Sequence, residues 1–101
     1  MEEQMTLSKS NNGDAYTIAI EGRLDTLTAP AFEKEITAIT DGETLLVDCA
    51  KLDYISSAGL RALLSAHKKF AEKGGMTVTN IGENIADIFE VTGFSNILTI
   101  R

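Results

Sequence analysis

The sequence predicts an α/β domain: a mixed sheet of four to five strands with parallel crossovers, packed by three to four helices. Three observations predict it. Runs with strand periodicity alternate with runs of helical periodicity, in the order strand, helix, strand, helix, strand, helix. That order produces parallel strands joined by right-handed crossovers. An Asn-rich turn between the first two strand-like runs gives an opening hairpin, which makes the sheet mixed. The 101 residues, 44% apolar and 24% charged, suit one domain with a real core.

Met5 to Leu7 is a short strand candidate, followed by the polar turn Ser10-Asn11-Asn12-Gly13-Asp14. In Ala15 to Ile20, Tyr16, Ile18 and Ile20 alternate with smaller residues at the two-residue strand period. Gly22 ends this strand, and Thr28 offers an N-cap ahead of Ala29-Pro30, proline being tolerated in a first helical turn. Phe32, Ile36 and Ile39 then fall on one helical face, ending near Asp41-Gly42. Thr44 to Cys49 is a nearly continuous apolar run, the pattern of a strand covered on both faces. The next helix carries Leu60, Leu63, Leu64, Phe70 and Ala71 on one stripe, and Gly74-Gly75 stops it. Met76 to Thr79 reads as a strand, and Ile85, Ile88 and Phe89 mark a third helix closed by Gly93. Ile97 to Ile100 reads as a last strand or extended segment.

Composition excludes several functions. Nine Lys and Arg against fifteen Asp and Glu give a net charge of −6. Affinity for nucleic acid or anionic lipid draws on phosphate neutralisation, so neither is expected as a partner. The nearest approach to a basic cluster, Lys68-Lys69 with Lys73, reads as the solvated face of a helix. No stretch approaches the ~18 apolar residues of a spanning helix. The acidic start Met1-Glu2-Glu3-Gln4 lacks the basic and apolar regions of a secretory signal, so a cytoplasmic protein is expected. One cysteine, Cys49, and one histidine, His67, cannot build a structural zinc site or an internal disulfide. No metal or cofactor is expected.

The segment Asp53-Tyr54-Ile55-Ser56-Ser57-Ala58-Gly59-Leu60-Arg61 stands out, because it opens the strongest helix with two adjacent hydroxyls. The first helical N–H groups have no intrahelical partners there. On one reading, one serine caps the helix and the other is a loop residue. On the other, a serine is a phosphorylation site, since a helix N-terminus tolerates a phosphate. Gly59, costly inside a helix, leaves room for another molecule's backbone or nucleotide to approach.

Ile55-Ser56-Ser57-Ala58-Gly59-Leu60-Arg61, with Gly22-Arg23-Leu24-Asp25 upstream, resembles the STAS domain of the anti-sigma-factor antagonists, bacterial regulators of transcription. The resemblance implies one STAS-like domain over residues 1–101 and partner switching as the activity. An anti-sigma factor that is also a serine kinase would bind the unphosphorylated chain and release sigma. Phosphorylation would break that complex, and a serine phosphatase would restore it. The family's phosphoacceptor falls on Ser57, and its nearby acidic residue on Asp25. Gly59 and Leu60 match the continuation that helps form the partner surface, along with Ser56 and Ser57. The family often carries aspartate before the acceptor where this chain has Ser56, which leaves Ser56 as an alternative acceptor.

Catalysis is not expected. A nucleophilic serine needs a base within hydrogen-bond reach. His67 is ten residues further along the same helix, about 15 Å along its axis. Asp25, Asp48 and Asp53 fall near predicted strand ends, where carboxylates are mostly structural or solvated, and Asp48 is placed to cap the following turn. Cys49, with no basic neighbour in sequence, is expected to be buried and inert. The competing function is a phosphorylation-independent STAS module that binds a small ligand or scaffolds another signalling or transport protein.

Overall fold

The computed structural model describes residues 5–101; the acidic start Met1-Glu2-Glu3-Gln4 lies outside the described residues. The chain runs β1 (Met5–Asn12), β2 (Ala15–Leu24), α1 (Ala29–Ala38), β3 (Thr44–Ile55), α2 (Ser57–Ala71), β4 (Gly75–Thr79), α3 (Glu83–Thr92), a 3-10 turn (Phe94–Asn96) and β5 (Thr99–Ile100). The five strands form one sheet in sequence order, with β1 antiparallel to β2 and every later pair parallel. Right-handed crossovers between successive neighbours place all three helices on the same face. The expected mixed α/β fold is what the chain adopts.

Strand β1 is longer than Met5 to Leu7. Ser10, Asn11 and Asn12 pair with Thr17, Tyr16 and Ala15, so the turn shrinks to Gly13-Asp14. Gly13 has φ +67°, the left-handed conformation that two-residue hairpin turns need. Strand β2 also passes through Gly22, which takes φ +98°, and reaches Leu24.

One face of the sheet carries the core. Ile18 and Ile20 of β2, Leu45, Val47 and Cys49 of β3 and Met76 and Val78 of β4 join Phe32, Ile36, Leu63, Phe70, Ile85 and Phe89 from the helices. The other face shows Ala50 and Leu46 to solvent, so β3 is covered on one face only. The apolar run misleads because Leu46 supplies an exposed leucine at an outward position. In α2, Leu60, Leu63 and Phe70 are buried as expected, whereas Leu64 is half-buried and Ala71 exposed. Gly93, left-handed at φ +83°, closes α3 as the sequence predicts.

Strand β3 runs to Ile55, six residues beyond Cys49. Two register shifts against β2, between Ala19 and Glu21 and between Gly22 and Arg23, insert extra residues on the β3 side. Buried positions therefore move from every second residue to Cys49, Leu52 and Ile55. Bulges of this kind bend and twist a strand, and here they bring the start of α2 beside the end of β2.

Lys69 and Lys73 do more than solvate a helix. The Lys69 ammonium donates to the Ile36 carbonyl at 2.7 Å, at the C-terminus of α1, and Lys73 donates to the Gly42 carbonyl at 2.9 Å. The Ile36 carbonyl also accepts from the Ile39 N–H at 3.1 Å, so Lys69 adds a second bond at the end of α1, and Lys73 ties α2 to the loop that follows. No helix among the described residues is long and apolar enough to cross a membrane.

Candidate functional site

Strands β2 and β3 end side by side, with Arg23 opposite Tyr54 and Leu24 opposite Ile55. The Ser56 N–H donates to the Leu24 carbonyl at 3.0 Å, carrying the pairing one residue further. Ser56 is extended, at φ −102° and ψ 179°, and is the N-cap of α2. Its Oγ accepts from the Gly59 N–H at 3.4 Å, and its carbonyl accepts from the Leu60 N–H at 2.8 Å. Ser57 is the first residue of the helix and is exposed. Its hydroxyl makes no hydrogen bond among the described residues. The two adjacent serines thus differ: one hydroxyl is engaged with backbone, the other faces solvent.

Gly59 and Leu60 are both buried. A Cβ on Gly59 would collide with the Leu24 carbonyl oxygen and lie 2.7 Å from Ile55 Cγ1. The close approach that glycine permits is therefore internal, between α2 and the end of β2. It does not leave room for an outside backbone or nucleotide.

Asp25 occupies the loop between β2 and α1. Its carboxylate accepts from the Leu27 N–H at 3.0 Å and the Thr28 N–H at 3.2 Å. Desolvation alone would raise its pKa. The backbone donors of Leu27 and Thr28, followed by Arg23 and the Thr28 hydroxyl, outweigh it and hold the carboxyl below its ordinary range. Thr28 takes the N-cap position, but its hydroxyl does not cap the helix. It donates to the Arg23 carbonyl at 2.7 Å and accepts from the Asp25 N–H at 2.8 Å. The Asp25 carboxylate ties the loop ahead of α1, and its backbone carbonyl accepts from the Ala29 N–H, the first of the helix, at 2.8 Å.

Arg23 and Tyr54 complete this end of the sheet. The Arg23 guanidinium lies 4.2 Å from the Tyr54 ring centroid, and its Nε is 3.3 Å from an Asp25 carboxylate oxygen. Leu27, 75% exposed, projects from the same hydrogen-bonded loop. In the sequence, Arg23 and Tyr54 stand inside the two motifs with no role of their own, and Leu27 stands outside both. Arg23 and Asp25, two apart at a strand end, were the available signal. The exposure of Leu27 had none.

The remaining candidates do not converge on Ser57. Asp48 sits in the middle of β3 rather than at a strand end, and accepts from the Ala50 N–H at 3.0 Å and from Asn80 at 3.1 Å. The exposed Asp53 lies near the end of β3, and its carbonyl accepts from Asn84 at 2.9 Å. Half-buried His67 lies ten residues after Ser57 on α2, and its Nδ1 has no hydrogen-bond partner among the described residues. Cys49 is buried, and desolvation, reinforced by the Asp48 charge, pushes its thiol pKa up to about 12.

Comparison with known proteins bears on this arrangement. The sequence model of the STAS domain matches residues 6–101. The chain is 34% identical over 91 residues to BtrV of Bordetella bronchiseptica, which carries the name of an anti-sigma factor antagonist. That match covers 86% of this chain and 78% of BtrV. The fold is similar to an anti-sigma factor antagonist from Mycobacterium paratuberculosis, with a TM-score of 0.85 at 22% identity over 95% of this chain and 84% of that one. It is also similar to the Bacillus cell fate determinant SpoIIAA in its phosphorylated form, with a TM-score of 0.73 at 15% identity over 96% and 90% of the two chains. With the opening hairpin, the parallel crossovers and the serine pair at the start of α2 all in place, the chain belongs to the STAS-domain family of anti-sigma-factor antagonists.

Proposed function

We propose that this chain is an anti-sigma-factor antagonist switched by phosphorylation of Ser57. Unphosphorylated, it binds an anti-sigma factor that is also a serine kinase, and sigma is released. The kinase transfers the γ-phosphoryl of ATP to the Ser57 oxygen, with loss of the hydroxyl proton and release of ADP. The phosphorylated chain leaves the complex until a serine phosphatase hydrolyses the ester. The chain itself performs no chemistry in this cycle.

One observation carries the reading: the Ser57 hydroxyl is exposed and uncommitted at the first position of α2, while Ser56 beside it is held in the cap. Asp25, Ser56 and Ser57 form the docking rim. Buried Gly59 and Leu60 serve it by fixing the start of α2 against β2. Phosphate adds about −1.5 to −2 charges. One like charge at ~7 Å and an effective permittivity of ~20 costs about 2 kcal/mol, and about 1.4 kcal/mol is tenfold in affinity. A single modification facing an acidic partner surface is enough to change occupancy.

The test is incubation with ATP and each serine kinase of the anti-sigma class from the source organism, then mapping of phosphate by mass spectrometry. One phosphate on Ser57, absent from Ser57→Ala, is expected, together with weakened partner binding by Ser57→Asp. Absence of label from every kinase, with a small molecule co-purifying, would instead assign the chain to the ligand-binding or scaffolding STAS modules.

A further inference from the structure

Arg61 lies four residues after Ser57 on α2, exposed and with no ion pair or hydrogen bond among the described residues. Residues four apart on a helix are about 40° apart around its axis, with Cβ atoms about 5–6 Å apart. Long helical side chains lean back over the preceding turn. Arg61 also borders a shallow groove between α2 and α1, with Ala58, Ala62 and Ser65 on its own helix and Thr26, Pro30 and Glu33 opposite. Ser57 lies beside that groove rather than in it.

We propose that Arg61 is an internal clamp for phosphate carried on Ser57, an inference that rests on Ser57 being the acceptor. An anion four residues N-terminal to a cation is the favourable order on a helix. A guanidinium pairs with phosphate through two parallel, charge-assisted hydrogen bonds. The other nearby cation, Arg23, is already committed to Asp25 and to the Tyr54 ring. Lys68 and Lys69 are about three turns further along α2. Two carboxylates belong to the loop and helix that neighbour this groove. Asp25 is engaged by the Leu27 and Thr28 amides, and Glu33 lines the groove without forming an ion pair to Arg61. A phosphate of nearly two charges outcompetes Glu33 for the guanidinium.

The clamp gives the modification two effects. It adds negative charge at the docking rim, and it withdraws Arg61, the first cation along α2, from any acidic group of the partner.

The test installs phosphoserine at position 57 during translation, in the full chain and in its Arg61→Gln and Arg61→Lys variants. The second ionisation of the phosphate is then titrated by phosphorus NMR. A clamp stabilises the dianion, so its pKa should lie about 0.3 to 0.7 lower in the chain with Arg61 than in the neutral Arg61→Gln variant, and between the two in Arg61→Lys. The helix amides and Asp25 act equally in all three chains, so the difference isolates residue 61. Equal values in the three chains would overturn the clamp. Because no kinase is needed, the titration decides the clamp whether or not a kinase labels Ser57, and kinase mapping decides the acceptor by itself.

Discussion

The α-carbon of Gly59 is packed so closely on the carbonyl of Leu24 that no side chain fits between them. The same carbonyl accepts from the Ser56 N–H, so one peptide group at the end of β2 fixes both the cap and the first turn of α2. Gly59→Ala therefore sets two effects against each other. Helix propensity favours alanine by up to ~1 kcal/mol. Overpacking against backbone and Ile55 costs about 1–3 kcal/mol, and the obstructing oxygen cannot rotate away. A net loss of stability is expected in urea unfolding, and a gain would show that α2 can lift off β2 freely.

Asp25 makes a pH prediction. Its folded pKa lies below the ordinary 3.8, so the carboxylate stabilises the fold above that value. The contribution disappears as pH falls through the lower, folded value. Asp25→Asn keeps an acceptor oxygen for the Leu27 and Thr28 amides but removes the titration. The gap in urea midpoint between the two chains should be constant from about pH 7 to 5 and close below about pH 4. A gap unchanged at about pH 2.5 would mean that the carboxylate charge contributes nothing here.

Cys49 tests the placement of the sheet's covered face. With its pKa pushed up to about 12, about one thiol in ten thousand is ionised at pH 8, and the thiolate is the reactive form. Labelling by an aromatic disulfide at that pH should be slow in buffer and rise steeply with urea, following exposure of the strand. Rapid labelling of the native chain would place Cys49 on the open face instead.

Local pattern made much of this fold legible. The stripes of Phe32 and Ile36 and of Leu60, Leu63 and Phe70 are core, and Gly93 ends its helix. What escaped were features decided by pairing. The extension of β3 from Cys49 to Ile55 crosses two bulges, where alternation fails because the partner strand sets the register. The role of Gly59 depends on Leu24, far away in sequence, and that of Lys69 on the end of α1. At the site, the motif located both serines and Asp25, but only the folded geometry could assign the cap to Ser56 and the free hydroxyl to Ser57.

That assignment separates the two serines experimentally. Ser56→Ala removes the acceptor for the Gly59 N–H and should cost about 0.5–1 kcal/mol, low in the range for caps because the bond is long at 3.4 Å. Ser57→Ala removes an exposed hydroxyl that bonds to nothing described, and should change stability by less than about 0.5 kcal/mol. Modification should show the reverse order. Ser57→Ala loses the phosphate and Ser56→Ala keeps it, since a kinase reaching Ser56 must first draw its oxygen out of the cap. Urea unfolding and phosphate mapping on the two variants therefore give a crossed pattern. If Ser56→Ala alone abolished labelling, the capping serine would be the acceptor, and phosphorylation would act by opening the first turn of α2 rather than by charge at its surface.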